Sequence, residues 1–383
     1  MGLSISTLTE TNELRGLSGE WNRLLESSRN TLPFLCPEWA LTWWEAYQQR
    51  HPLIGDSLRV KVLRRASGEL VAVVPFMLTE RPGVGPIRAR ALNFLGADRF
   101  ITEQRAPIFD PAFGGEVAQA LCSDLLKDDE WDWIAWKGLD RQSEFAAVVE
   151  REMGLQWGSE ETSNLLQLAP TWEEFRSGLK RNIKESLRRC YNSLKRDGLS
   201  MRLAVAETPE EIDTALETFF KLHAARAAQA DGVEHPDRFQ GPRDKRFLGN
   251  VCARLGERRI ARVFTLLVGG EPVAVRVGFV LPECLYLYYS GYDPAFAKYS
   301  VMTTAVAEAI KYAIDLKLPR VHLSMGVDVS KSRWGPESHL LHDAHCVRPR
   351  WASQAAHRLY SWGRESNGVH QALHAILPKR RFD

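Results

Sequence analysis

The sequence lacks the compact signatures that announce several enzyme classes. It has no GxSxG, no P-loop, no HExxH and no GxGxxG. Motif evidence is therefore absent for nucleophile-elbow hydrolases, Walker-type nucleotide binders, zinc peptidases and dinucleotide enzymes. It also lacks paired cysteines. Cys36, Cys122, Cys190, Cys252, Cys284 and Cys346 lie dozens of residues apart and none forms a CxxC, which argues for buried thiols in a reducing compartment and against a disulfide framework. No apolar run approaches the ~20 residues that span a bilayer, since the longest, Leu70–Leu78, is interrupted by Pro75. The opening MGLSISTLTETNEL has neither a basic start nor an apolar stretch, so no signal peptide is expected and the reading is a cytoplasmic chain without a transmembrane segment. A surplus of one charge is missing as well. Lys and Arg number 50 against 48 Asp and Glu, a net charge of +2, which speaks against a dedicated nucleic-acid binder and makes tRNA a disfavoured partner.

What is present is ordinary globular composition over 383 residues, 44% of them hydrophobic, enough for two domains. An internal echo supports that number. Residues 68–73 read Gly-Glu-Leu-Val-Ala-Val and residues 270–275 read Gly-Glu-Pro-Val-Ala-Val, each after a strand-like apolar run. Both predict a β-hairpin. A strand, a helix and a further strand are predicted after each: near Arg88–Phe94, Gly115–Leu126 and Trp131–Trp136 in the first copy, and Leu285–Gly291, Met302–Leu316 and Arg320–Leu323 in the second. The expectation is a mixed α/β (α+β) sheet in two copies covered by helices. Domain boundaries are placed at residues 1–165 and 166–350, followed by an amphipathic tail over 351–383 that breaks at Ser366-Asn367-Gly368 and ends in Lys379-Arg380-Arg381.

Three stretches could carry chemistry. Residues 176–197 hold Arg176, Lys180, Arg181, Lys184, Arg188, Arg189, Lys195 and Arg196, opposed before Asp197 by Glu185 alone, while Leu179, Ile183, Leu187, Cys190 and Leu194 recur at helical spacing. This predicts a helix with one apolar and one cationic face, the latter suited to an anionic ligand or an acidic membrane surface. Lys184 and Arg188 are its candidate binding residues. The segment LYLYYSGYDPAFAKYSVMTTAVAEA, residues 285–309, predicts an aromatic strand, a short loop and a helix opening at Ser300 as N-cap. Free amides at Ser300, Val301, Met302, Thr303 and Thr304 would then offer donors to a diphosphate. Tyr288, Tyr289, Ser290, Tyr292 and Asp293 sit at the implied strand end. Beyond the next strand, Lys331, Arg333 and Trp334 combine two charges with a flat ring that could position a phosphate or carboxylate and pack a sugar. His339, His342, His345 and Cys346 do not share one face of either a helix or a strand, so no metal is expected there.

With these segments named, the sequence resembles the GNAT-superfamily acyltransferases of the CelD type, cellulose-biosynthesis accessory proteins related to the Fem aminoacyltransferases. The resemblance covers about residues 30–345. It rests on Pro33-Phe-Leu-Cys-Pro-Glu-Trp39 with Trp43-Trp44, on the basic helix ending at Leu194-Lys-Arg-Asp-Gly198, on Leu222-His-Ala-Ala-Arg226, and on Tyr292-Asp-Pro-Ala-Phe-Ala-Lys298 with Ser300. Two places depart from the pattern: the family's Ser-Pro-Gly is Ser300-Val301-Met302, and its Tyr-Lys-x-x-Trp is Ser330-Lys331-Ser332-Arg333-Trp334. The resemblance implies two tandem GNAT-like domains. It implies acyl transfer from acetyl-CoA or a longer acyl-CoA to an amine, with the acceptor a small molecule or a sugar, cell-envelope or exopolysaccharide precursor. Tyr288, Ser290, Tyr292 and Asp293 would be catalytic, Ser300–Thr304 would hold the cofactor, and Lys184, Arg188, Lys331, Arg333 and Trp334 would hold substrate. The alternatives it leaves are aminoacyl transfer from tRNA and a non-catalytic accessory that contacts polysaccharide-biosynthesis proteins.

Overall fold

The structure, a computed structural model, describes residues 2–30, 32–82, 88–98, 100–229 and 235–365. The tail break at 366–368, the basic end at 379–381 and part of the loop expected after Asp231 lie outside these residues. Along the chain run β1 (Ser4–Leu8), α1 (Thr11–Ser27), α2 (Pro37–Tyr47), β2 (Arg50–His51), β3 (Ile54–Arg64), β4 (Leu70–Pro82), β5 (Arg88–Phe94), β6 (Ile108–Phe109), α3 (Gly114–Lys127), β7 (Trp133–Leu139), α4 (Glu144–Met153) and β8 (Gln156–Gln167). Then follow α5 (Trp172–Gly178), α6 (Arg181–Arg196), β9 (Met201–Ala206), α7 (Pro209–Ala227), α8 (Pro242–Glu257), β10 (Ala261–Val268), β11 (Glu271–Leu281), β12 (Cys284–Tyr292), α9 (Val301–Asp315), β13 (Arg320–Met325), α10 (Val329–Ser332), β14 (Glu337–Val347) and α11 (Trp351–Glu365). No helix among the described residues is long and apolar enough to cross a membrane. The fold is the mixed α/β arrangement expected.

The chain divides into two compact units, one formed within residues 1–28, 34–161 and 340–383, the other by residues 29–33 and 162–339. In the first, the sheet runs β1-β3-β4-β5-β7-β14. All neighbours are antiparallel except β5 and β7, which are parallel and joined through α3. In the second the order is β8-β13-β12-β11-β10-β9. Here too one pair, β12 and β13, is parallel and joined through its crossover helix, α9. Hairpin, third strand, crossover helix and parallel strand thus recur in both. Each sheet takes its next antiparallel strand from the other half of the sequence: β14 beside β7, and β8 beside β13.

Local chemistry explains the elements that matter most. The β10–β11 turn is Gly269-Gly270, with φ of 60° and 93°, the doubly left-handed backbone a two-residue hairpin needs. The opening of α7 is a full capping box: the Thr208 hydroxyl accepts from the Glu211 amide, and the Glu211 carboxylate accepts from the Thr208 amide, with Pro209 in the first turn. In α6 the residues Ile183, Leu187, Cys190 and Leu194 are buried, and Arg181, Arg188, Arg189, Lys195 and Arg196 are exposed. That is the two-faced helix its spacing predicts. Tyr191 of α6 donates to the Glu308 carboxylate of α9 at 2.5 Å, and Lys311 meets the same carboxylate at 2.6 Å. All six cysteines are free and buried. Burial pushes the Cys284 thiol up to about 12, so at neutral pH it is neither a nucleophile nor a metal-ready thiolate.

Candidate active site

The second unit's sheet opens at one place. Strands β12 and β13 are paired only from Cys284–Tyr286 to Arg320–His322, yet β12 continues to Tyr292 and β13 to Met325. Each strand is drawn aside by its other neighbour. Between Arg276 and Gly278 of β11 the register with β12 slips from Ser290 to Leu287. Val277 therefore faces both Tyr288 and Tyr289, a bulge on β12 that bends the strand. On the other side, Ser324 has a φ of 70° and Gly326 one of 86°. The Asn164 amide of β8 donates to the carbonyls of Ser324 (3.3 Å) and Gly326 (2.8 Å), and the Gly326 amide donates to Thr162 O at 2.8 Å. The end of β13 is thus fastened to β8 and not to β12.

His322 anchors this end. Its Nδ1 accepts from the Ser324 amide at 3.0 Å, so Nε2 carries the proton and donates to Ser163 Oγ at 2.8 Å. Its ring stacks on Tyr286, 4.5 Å between centroids. Burial, followed by the nearby positive charge of Lys331, pulls its pKa to about 3. Between that value and the ordinary value of about 6.5, the unfolded chain holds a proton that the folded chain refuses. The stability His322 contributes is therefore complete above pH 6.5 and is lost as the pH falls toward 3. In the His322→Gln variant, the dependence of unfolding free energy on pH between 4 and 6 should flatten by up to about 1.4 kcal/mol per pH unit. Urea titrations at several pH values measure this. An unaltered slope would show that His322 is not held neutral.

Helix α9 follows β12 after the 3-10 turn Pro294–Tyr299. Ser300 occupies the N-cap position, but in the left-handed region (φ 51°, ψ 43°) and without a side-chain capping bond, a correction to the expected hydroxyl cap. Its carbonyl instead accepts from the amides of Thr303 at 2.9 Å and Thr304 at 3.3 Å, and its own amide donates to Ala297 O at 2.9 Å, so the amides of Ser300, Thr303 and Thr304 are engaged and not free as expected. The amides of Val301 and Met302, one residue into the helix, precede the intrahelical ladder and have no acceptor among the described residues. The Val301 side chain is buried with Leu194, Leu266 and Val268, and Met302 packs against the same cluster. Both therefore face the core. Arg333 Nη1 donates to Thr303 Oγ1 at 3.3 Å, which puts a guanidinium at the first turn. Thr304 is fully buried and its hydroxyl has no partner among the described residues.

Helix α7 lies against the end of β12. The backbone contact is so close that a Cβ on Gly291 would stand 2.3 Å from His223 N. His223 donates from Nδ1 to Ser290 O at 2.8 Å, and its Nε2 accepts from the Arg238 amide at 3.3 Å. Burial lowers its pKa, so the imidazole is neutral and both nitrogens are engaged. One turn on, Arg226 Nη1 donates to Ser290 Oγ at 3.0 Å. The Tyr292 hydroxyl donates to Gln229 Oε1 at 2.6 Å.

Residues 181–332 match the family profile described as an acetyltransferase (GNAT) domain. The chain carries a GNAT acyltransferase domain. Its boundaries run from the start of α6 to the end of α10 and enclose the opening between β12 and β13, the start of α9 and both α7 residues on Ser290. Among solved structures, the chain is similar in fold to FemX, at 11% identity over 94% of this chain and 99% of that one, TM-score 0.62. It is also similar to the C-terminal domain of a protein assigned as a lysylphosphatidylglycerol synthetase from Agrobacterium fabrum. That match has 12% identity over 92% and 97% of the two chains, TM-score 0.51. A conserved Bacteroides thetaiotaomicron protein of unknown function gives 12% identity over 90% and 100%, TM-score 0.51. No curated protein matches the chain.

The GNAT domain brings some of the expected residues together and holds others apart. Ser290 meets Arg226 and His223, and Thr303 meets Arg333. Tyr288 is buried edge-on against Tyr289, 4.6 Å between centroids. The Asp293 carboxylate accepts from the Ala295 amide at 2.9 Å and so caps the 3-10 turn Pro294–Tyr299. The Lys331 amine donates to Met325 O and stands 3.6 Å from Asp328, bracing the β13–α10 loop. Trp334 packs in the core with Leu166, Leu179 and Ile310, which leaves no open ring face for a sugar. On α6, Lys184 donates to Ser177 O at 2.6 Å, whereas Arg188 is exposed. Asn164 and His322, which hold the end of β13, carry no motif signal. His223 and Arg226 stand in the Leu-His-x-x-Arg stretch, but nothing in its spacing names Ser290 as their shared partner. Among the described residues there is no group of three or more potential metal ligands.

Proposed function

We propose that the GNAT domain catalyses acyl transfer from acetyl-CoA or a longer acyl-CoA to an amine, the CelD-type resemblance directing the acceptor toward a sugar or envelope precursor. The observation that carries this reading is the pair of amides at the start of α9, Val301 and Met302, that have no acceptor among the described residues, in the same domain as the open V between β12 and β13. Arg333 at the same turn adds a fixed positive charge. Amides at a helix start beside a guanidinium suit a diphosphate. A thioester supplies an activated carbonyl. The chain must orient that carbonyl, admit the amine and move two protons, one from the attacking nitrogen and one to the departing thiolate. Tyr292, at the end of β12, is the proposed donor to the thiolate. Tyr288, Ser290 and Asp293 shape the strand end, and Lys331 fixes the loop that closes the far side. The first unit supports the assignment of chemistry to the second. There the Glu144 carboxylate lies against the first turn of α3, where a Cβ on Gly115 would meet Oε1 at 2.4 Å, so an anion already sits at that helix start.

Transfer from aminoacyl-tRNA is the second reading, favoured by the exposed cations of α6. Isothermal titration decides between them. Acetyl-CoA or a longer acyl-CoA should bind with measurable heat and raise the melting temperature. Absence of both effects with every CoA thioester would overturn the acyl-CoA reading. Tight tRNA binding that weakens steeply with salt would favour the alternative.

A further inference from the structure

We infer that Arg226 is the receptor for an anionic group on the acceptor, so that the amine this site acylates carries a carboxylate or a phosphate. The inference rests on the acyl-transfer reading of the site. Arg226 sits on the last turn of α7, partly buried, and among the described residues its surroundings supply no ion-pair partner. Nη1 donates to Ser290 Oγ and Nη2 contacts His235 Nε2 at 2.7 Å, both neutral groups, and the Tyr292 ring lies 5.8 Å from the guanidinium. Nε is buried without any partner, and no carboxylate among the described residues lies within ion-pair distance. Asp328 acts on Arg226 only from farther off, and its own carboxylate already accepts from Ser330 Oγ and the Lys331 amide. A guanidinium taken out of water without a counter-ion is costly, and burial lowers its proton affinity here. Proteins keep such a cation where a ligand completes it, and the planar fork of arginine matches carboxylate and phosphate.

Its location fits an acceptor and not the diphosphate of the donor. Arg226 is tied to Ser290 and Tyr292 at the end of β12, while the free amides belong to α9 and Arg333, at the end of α10, reaches the first turn of that helix. The cation on α7 thus stands by the strand end where Tyr292 is proposed to protonate the departing thiolate, on an element separate from the one whose amides are proposed to hold the donor.

The test uses the full chain, acetyl-CoA and matched amine pairs: alanine against alaninamide, and glucosamine 6-phosphate against glucosamine, with release of free thiol as the readout. The wild type should favour one or both anionic members at least tenfold in kcat/KM, chiefly through KM. The carboxylate and phosphate arms show which anion fits. In Arg226→Gln the anionic-to-neutral ratio should fall to near one, and Arg226→Lys should recover part of it. Thermal shifts with sodium phosphate and sodium acetate give a readout independent of turnover, since the wild type should be stabilised by one of them more than Arg226→Gln. Equal use of both members of each pair, a ratio retained in Arg226→Gln, or identical thermal shifts would overturn the inference. If acetyl-CoA binds and amines are acylated without preference, only the anion receptor fails. If no CoA thioester binds but Arg226-dependent anion stabilisation remains, the acyl-transfer reading fails and the anion site stands. Acetyl-CoA affinity in Arg226→Gln and Arg226→Lys serves as the check that both variants fold.

Discussion

Replacing Gly291 with alanine should destabilise the second unit by about 3 kcal/mol or more and lower its melting temperature by roughly 6–12 °C. The added methyl would stand 2.3 Å from His223 N, 2.5 Å from Leu222 C and 2.8 Å from His223 Cα. These atoms belong to the backbone of α7 and cannot turn away as a side chain tip can. Relief requires the helix to lift off β12, and lifting it withdraws His223 and Arg226 from Ser290. Stability and acceptor use should therefore fall together. Gly249, within α8, is the internal control. No atom stands within 4 Å of its added Cβ and its φ is not positive, so Gly249→Ala should be neutral or stabilising by up to about 1 kcal/mol through helix propensity. Thermal melts of both variants check this. A Gly291→Ala protein as stable as Gly249→Ala would mean that α7 does not sit on β12 as described.

This contact shows what the sequence conveys and what it withholds. Strands and helices were legible wherever a side-chain period set them. The two hairpins, the cationic helix and the crossover helix opening near 301 follow from alternation, from spacing of three and four, and from glycine at turns. Which sheet receives β8 and β14 was not legible, because both are polar edge-like segments whose pattern suits either neighbour. The opening between β12 and β13 is equally silent, since it arises from a one-residue slip against β11 and from Asn164 reaching two carbonyls some 160 positions away in the chain. Trp334 marks the limit of composition. A tryptophan beside Lys331 and Arg333 reads as a binding platform until the burial of its ring is known. Ser300 marks another. Its type suits an N-cap, but its left-handed backbone gives the first turn a carbonyl in place of the hydroxyl. The family pattern has Ser-Pro-Gly at this point, so the amides presented here depend on a serine holding a conformation glycine adopts more readily.

Those amides can be tested by a substitution with opposed effects on stability and binding. Thr303 lies in the first turn of α9, where a carboxylate is favoured by the helix dipole and where Arg333 already reaches the side chain at 3.3 Å. Thr303→Glu should therefore leave the melting temperature unchanged or raise it slightly, a gain of about 0.3–1 kcal/mol. The same carboxylate occupies the positive end of the helix and consumes the charge of Arg333, as Glu144 does at the start of α3 in the first unit. Acetyl-CoA affinity should fall at least tenfold, since about 1.4 kcal/mol of lost attraction suffices for that factor. A loss caused by unfolding would lower the melting temperature, so the two measurements separate blockade from damage. Thr303→Val, which removes only the hydroxyl, should bind acetyl-CoA within a few-fold of the wild type. Undiminished affinity in Thr303→Glu would remove the diphosphate from this helix start and require the donor to bind elsewhere in the opening.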